Sequence, residues 1–367
     1  MRAAHPVAYP LLRSVRRPAL RVPGLGVLVT DATLLRSVLM DTARFTKTGP
    51  GSPSDLWTPV LGPSVLLNME GADHRALRSR LGPLFAPSYV EPLAAASLPT
   101  AELTARLAAG ESVDIVEVAR QFAGVMIGQL VGLTTVDPEL VNRVSSITRV
   151  VRLSRPRLTP SQVAHARSVL AELTAHARAA YAAADESTVP GRMRALGLSE
   201  TEAMGAVGAF VLTGTETLVS YIPRLVALLV DSGWFPIVAA DRALAEPAIA
   251  EGLRVTTPSP VMLRSAVART TIGSVAVRPG DRIILATFAA NRALGAFDPA
   301  ANLASTLKQL WFGAGTHFCL GAPLAMAQIR FTLDSILDAP GSVTITARAA
   351  SHGVLIPSYS SLVVRAS

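Results

Sequence analysis

Three observations predict a mainly α fold with small β-sheets. Apolar residues recur at three- and four-residue spacing through most of the chain, strand-like runs are short and few, and one long apolar segment is opened by a capping box. Of the 367 residues, 50% are apolar and 16% charged, and the mean hydropathy is +0.40, enough apolar material for a generous core and far from a disordered or fibrous composition. No Ser/Gly- or Pro-rich linker divides the chain, so residues 1–367 are expected to form a single domain.

In chain order, Val27 to Thr30 reads as a first short strand, and Asp31 as the N-cap of an amphipathic helix reaching about Met40. From Thr46 to Leu67 the chain is rich in Gly, Pro, Ser and Thr around Trp57 and reads as a long irregular stretch. A loop of that length in a compact domain is more often functional than idle. Helices follow from His74 through Asp185, marked by Leu77, Leu81 and Leu84, by Val116, Phe122, Met126 and Leu130, and by Val163, Val169, Leu170 and Leu173. Ser199 and Glu202 form a capping box for a helix that runs to about Ser232 and is apolar nearly all round after Met204, as a central buried helix would be. Its polar interruption is Thr213-Gly214-Thr215-Glu216-Thr217. Later strand signals lie in Ala266 to Thr287, with turns at Gly273-Ser274 and Pro279-Gly280-Asp281, and at Val343 to Thr346 and Leu362 to Arg365.

With 34 Lys+Arg against 26 Asp+Glu the net charge is +8, which admits an acidic partner, a polyanion or an anionic prosthetic group. The basic residues are mostly scattered arginines without a run or interleaved aromatics, a pattern that fits a solvated surface and not nucleic-acid binding. One cysteine leaves no intramolecular disulfide and no cysteine-based zinc site. The N-terminal stretch has no continuous apolar core and no charge-free apolar run of about 18 residues follows it, so a soluble, cytoplasmic protein without a membrane contact is expected.

That cysteine lies in Phe312-Gly313-Ala314-Gly315-Thr316-His317-Phe318-Cys319-Leu320-Gly321, with Pro323 opening a helix just after it. Glycines at 313, 315 and 321 are expected to adopt backbone conformations that a Cβ forbids and to let the chain approach a flat ligand, while helix N-terminal N–H groups favour a thiolate. A phosphate-binding loop is the competing reading, but neither GxxxxGK[ST] nor a full GxGxxG is present.

The segment resembles the haem-binding loop of the cytochrome P450 family, FGxGxHxCxG, in which Cys319 matches the proximal iron ligand. Gly214-Thr215-Glu216-Thr217 is similar to the family's oxygen-activating AG-x-[DE]-T motif, and Glu251-Gly252-Leu253-Arg254 to its ExxR helix. His74 and Arg78 match the HxxxR helix that grips the haem propionates, and Arg264 stands where a further propionate arginine is expected. The resemblance implies haem b as cofactor, held between the long central helix and the cysteine loop. His74, Arg78, Arg264 and His317 are then candidates for the propionates, Phe312 shields the sulfur, and Gly313 and Gly321 shape the loop. It also implies that Gly214 lets the central helix open, Thr217 donates a hydrogen bond to bound oxygen, Glu216 relays protons, and Glu251 and Arg254 support the proximal side. Three features depart from the pattern. Thr213 replaces Ala or Gly, Pro223 is expected to kink the central helix, and the segment from Phe297 to Asn302 lacks the family's arginine, leaving Asn302 to partner the ExxR pair.

What this implies is a haem-thiolate monooxygenase that uses O2 to oxidise a small hydrophobic substrate, in secondary metabolism. The 48 residues after Cys319 hold no flavin or iron-sulfur domain, so an external ferredoxin and its reductase are implied, docking near Arg75, Arg80 and Arg330. The chain is expected to be a monomer, and its pocket wall to include parts of Trp57 to Leu67, Phe210 to Thr213 and Pro258 to Met262. Oxidative coupling, desaturation and peroxide-driven oxidation stay open within the family, and a non-catalytic haem sensor or carrier outside its chemistry.

Overall fold

The computed structural model describes residues 3–133, 138–149, 157–302 and 307–366. The helices in chain order are α1 (Ala8–Ser14), α2 (Ala32–Met40), α3 (Pro53–Leu61), α4 (Gly71–Leu81), α5 (Pro87–Ser97), α6 (Thr100–Ala108), α7 (Ile115–Val131), α8 (Pro138–Arg149), α9 (Pro160–Ala183), α10 (Val189–Ala195), α11 (Glu200–Asp231), α12 (Trp234–Ala240), α13 (Ala245–Thr256), α14 (Thr287–Arg292) and α15 (Ala322–Leu337). The strands are β1 (Ala19–Val22), β2 (Gly26–Val29), β3 (Phe45–Thr46), β4 (Val113–Asp114), β5 (Met262–Ala266), β6 (Thr270–Ile272), β7 (Val275–Val277), β8 (Arg282–Leu285), β9 (Val343–Ala350) and β10 (Tyr359–Ala366).

Helix dominates, and the strands gather in a five-stranded sheet of order β1-β2-β8-β5-β3, a three-stranded sheet β4-β10-β9 and the hairpin β6-β7. Within the first sheet only β2 and β8 run parallel; β3 meets β5 antiparallel, Phe45 opposite Ala266 and Thr46 opposite Ser265. A small core packs Val27 and Val29 of β2 and Ile283 and Leu285 of β8 against Leu35, Val38 and Leu39 of α2. That helix starts as expected, the Asp31 side chain accepting from the Leu34 N–H.

The larger core centres on α11, which packs against α7, α9, α13 and α15. Ser199 and Glu202 close the capping box at its start, and its 32 residues span about 48 Å at 1.5 Å per residue. By length and composition alone α11 could cross a membrane, but 67% of its most apolar stretch is buried, as in the core helix of a globular protein. It remains helical on both sides of Pro223. The approach of α13 is close: a Cβ on Gly252 would sit 2.7 Å from both Leu225 Cδ1 and Tyr221 Oη of α11.

Two expectations need correction. The stretch from Thr46 to Leu67 is not irregular throughout, because α3 occupies its middle with Pro53 in its first turn. Pro59 lacks the N–H that would bond the Asp55 carbonyl, and its own carbonyl accepts from Arg167 Nε of α9 at 2.7 Å. Strands β1, β3 and β4 were not expected. The last two are two residues long and owe their existence to the strands they pair with, which no local pattern announces.

Glu251 and Arg254 form a fully buried pair on α13, with Arg254 Nε and Nη2 donating to the two carboxylate oxygens at 2.6 and 2.5 Å. The guanidinium also reaches the carbonyls of Asn291, Gly295 and Ala296. Asn302 does reach the pair: its Nδ2 donates to Glu251 Oε1 at 2.8 Å, beside the Asp298 N–H at 3.0 Å. An amide thus stands where the family places an arginine.

Arg254→Leu leaves Glu251 buried without its cation and should lower the unfolding free energy by roughly 3–5 kcal/mol. Asn302→Ala removes one neutral donor and should cost about 1 kcal/mol. Urea denaturation of both variants checks the ranking; equal losses would contradict it.

Candidate functional site

Cys319 follows a loop folded back on itself: its N–H donates to the Phe312 carbonyl at 2.9 Å, and a short 3₁₀ turn at 315–317 lies between. Gly313 and Gly315 hold φ of +80° and +66°, where a side chain is strained. At Gly315 a Cβ would also meet the Leu39 carbonyl oxygen and Met40 Sδ of α2, both at 3.1 Å. Gly321 differs from expectation. Its φ of −81° suits any residue, so its place on the wall of the cavity described next, and not its backbone angle, is what the structure offers as its reason.

The thiol opens onto a cavity between α11 and the cysteine loop with α15. His74, Arg78, Phe312, His317 and Gly321 share its wall with Gly214 and Thr217 of α11. Gly214 stands open there, and a Cβ on it would meet nothing within 4 Å. The Thr217 hydroxyl makes only long bonds back to the carbonyls of Thr213 and Gly214, 3.3 and 3.5 Å. Three expected site residues are not on the wall. Gly313 shapes the loop from behind, Arg264 is buried on β5 with Nη1 donating to the Leu263 carbonyl, and Glu216 turns away to accept from the Ser145 hydroxyl of α8. Of the expected apolar wall, Leu66, Leu67, Phe210, Thr213, Pro258, Ser259 and Met262 face the cavity, while Trp57 packs into the larger core.

Beside the thiol lies a polar cluster that the sequence only half disclosed. Glu70 and Lys47 belong to it, and neither carries a motif. Glu70 Oε2 meets His317 Nε2 at 2.7 Å, and Oε1 accepts from the Lys47 N–H at 2.6 Å and the Thr46 hydroxyl at 3.3 Å. Burial pushes this carboxyl up, yet the bonds from His317, Lys47 and Thr46 together hold it at about 2. His74 and His317 meet edge to face, centroids 4.3 Å apart, and burial holds both imidazoles down, His74 to about 4. The Lys47 ammonium lines the cavity; burial and the nearby Arg264 and Arg78 push it down to about 7, against the pull of Glu70 and Cys319. Among the described residues no carboxylate lies within ion-pair distance of Lys47, Arg78 or Arg264.

Cys319 is open on its cavity side and closely surrounded elsewhere, and that burial pushes its thiol up; the N–H groups of Gly321 and Ala322, with Arg78 and Lys47, pull the other way. Burial thus opposes the thiolate that the helix-terminal N–H groups favour.

Does a porphyrin fit? The buried Nδ1 atoms of His74 and His317 and the Trp311 indole N–H have no partner, and the three cations described above face one carboxylate. Among the described residues no three His, Cys, Asp or Glu side chains gather, so a metal at Cys319 needs a carrier bringing its other ligands. A flat, apolar macrocycle with acidic substituents satisfies each of these features. On the outer face, Arg80 is paired with Glu202, and Arg330 with Glu91 and Glu246, which leaves Arg75 as the exposed one of the three arginines named for docking.

A mainly helical fold with a lone thiol set against a long central helix defines a class of haem-thiolate proteins, and comparison with known proteins agrees. No protein-family model matches the chain. Erythromycin C-12 hydroxylase of Saccharopolyspora erythraea is 29% identical over 329 residues, 85% of this chain and 81% of that protein. Mycinamicin IV hydroxylase/epoxidase of Micromonospora griseorubida is 28% identical over 337 residues, again 85% and 81%. The structure of a mutant of P450 EryK in complex with erythromycin B superposes with a TM-score of 0.84 at 25% identity, covering 99% of this chain and 97% of that one. The relatives that match most of the chain are hydroxylases and epoxidases, and the structural neighbour named above is a cytochrome P450, so sequence and fold both point to a cytochrome P450 monooxygenase.

Because its folded value is depressed, Glu70 contributes stability that is fully present above the ordinary glutamate value of 4.5 and is lost as pH falls toward about 2. Glu70→Gln should therefore be less stable than wild type at neutral pH, and the two should converge across that acid window. Denaturant midpoints at a series of pH values check this.

Proposed function

We propose that this enzyme holds haem b through the Cys319 thiolate and inserts one oxygen atom of O2 into a small hydrophobic substrate of secondary metabolism. One observation carries the reading: the chain's only cysteine opens onto a cavity also walled by Gly214 and Thr217. When bound, the haem would supply a redox iron, made electron-rich by the thiolate, for the activation of O2.

The chain's own groups do the rest. The N–H groups of Gly321 and Ala322 stabilise charge on the sulfur, and Phe312 covers it. His74, Arg78 and His317 bind the cofactor's carboxylates, with Arg264 adding charge from behind the wall. Gly214 keeps the wall free of side chain over the reacting centre. The Thr217 hydroxyl, weakly held by its own helix, is available to donate into the cavity, and Glu216 supplies protons once its carboxylate leaves Ser145. Gly313 sets the loop's turn, and Glu251 with Arg254 holds α13 against the segment that leads to it.

Leu66, Leu67, Phe210 and Met262 exclude water and favour an apolar substrate, with Thr213 and Ser259 as the few polar anchors. The hydroxylase and epoxidase activities named for the relatives support transfer of one oxygen atom as the outcome. Electrons are proposed to come from a ferredoxin and its reductase, with Arg75 at the docking face. We take the protein to act as a single-domain cytoplasmic monomer.

The reduced protein treated with carbon monoxide should show the red-shifted absorbance of a thiolate-ligated haem, and Cys319→Ala should lose it; a colourless wild-type protein after incubation with haemin would refute the reading. Thr217→Ala should keep the spectrum but lower the product formed per electron consumed by about tenfold or more, the remaining reducing equivalents going to peroxide or water, because a positioned proton donor is lost. A low-to-high-spin screen supplies the substrate for that measurement.

A further inference from the structure

Among the basic residues of this chain only two are lysines, Lys47 and Lys308, and one of them lines the cavity beside Cys319. Its backbone is fixed at both ends. The N–H is given to Glu70 Oε1, and the carbonyl accepts from the Ser52 hydroxyl at 2.5 Å and the Ser54 N–H at 3.1 Å. Since Thr46 pairs with Ser265, extending the β3–β5 register by one residue sets Lys47 opposite Arg264. A flexible four-carbon stem is thereby launched from a pinned position toward the cluster of His74, Arg78 and His317.

Among the described residues no carboxylate meets its ammonium within ion-pair distance. Glu70, the one carboxylate nearby, spends its oxygens on the Lys47 amide, the Thr46 hydroxyl and His317, and does not meet the ammonium within ion-pair distance. Arg78 and Arg264 are in the same position, with no carboxylate within ion-pair distance among the described residues. In a ferric haem-thiolate the metal, the porphyrin dianion and the sulfur cancel, so the outstanding charge of the cofactor is that of its two carboxylates. A second carboxylate therefore calls for a cation beside Arg78, and Lys47 is a cation that lines the cavity with it.

Resting on the haem reading above, we propose that Lys47 is a cofactor-binding residue whose ammonium ion-pairs with a propionate of the haem, a contact made from the β3–α3 segment in addition to those of His74, Arg78, Arg264 and His317. A charge-assisted bond in a partly desolvated site contributes more than its exposed counterpart. Its loss should be read in retention of the cofactor and not in the colour of the bound form.

The test compares haemin with haemin dimethyl ester, whose carboxylates are capped, in wild type, K47M and K47Q, following transfer of the cofactor to excess apomyoglobin by absorbance. Lys47→Met keeps the apolar stem, and Lys47→Gln serves should the first variant fold poorly. The expected result is release of haemin about tenfold faster in the variants, with release of the diester unchanged and K47R close to wild type. Equal rates for haemin in wild type and variants overturn the proposal, as does an equal acceleration for haemin and diester, which reports loosened packing. Failure of the wild-type protein to take up haemin at all would instead strike the reading of function.

Discussion

The constraint on which this molecule turns is a thiol crowded by its own loop and open to a cavity. Crowding disfavours ionisation of the sulfur, and the two amides at the start of α15 pull the other way. The fold answers with geometry: it leaves the open side of the sulfur facing the space beneath α11, so that a metal there completes what the amides begin. The turn at Gly313 and Gly315, the wedge of that turn against α2 and the bond from Cys319 N–H to Phe312 all serve to aim one atom.

The same economy governs the charges. Around the cavity the cations outnumber the anions, whereas a second charged site, on α13, is closed. Glu251 and Arg254 pair with one another and with four neighbouring backbone groups, and the Asn302 amide adds a further bond to Glu251 Oε1. One cluster is satisfied internally and acts as scaffold; the other is left incomplete and acts as receptor. Burial is common to both, so partner count and not burial separates structure from function here.

Much of this was legible in the chain. The helix period, the Ser199 capping box and the strand turns at Gly273-Ser274 and Pro279-Gly280-Asp281 are local signals and appear where the residues place them. The cysteine loop is a dense motif, and its relation to Gly214 and Thr217 followed from the family pattern. Other features were hidden for physical reasons. A two-residue strand such as β3 has no period, and a helix that begins on Pro53 and contains Pro59 has the composition of a loop. Lys47 and Glu70 are brought to the site by pairing between β3 and β5 and by the start of α4, contacts remote in sequence that no single segment encodes. The outward turn of Glu216 depends on α8 offering a hydroxyl, which is likewise a tertiary fact.

Gly252 ties the scaffold to the receptor. Any larger residue at that position would press on Tyr221 Oη and Leu225 Cδ1 of the helix that bears Thr217, and these side chains would have to shift. Because Tyr221 also lines the cavity, a change at Gly252 would be felt in the pocket through that ring. The distance between framework and reaction chamber is therefore calibrated by an atom the chain omits.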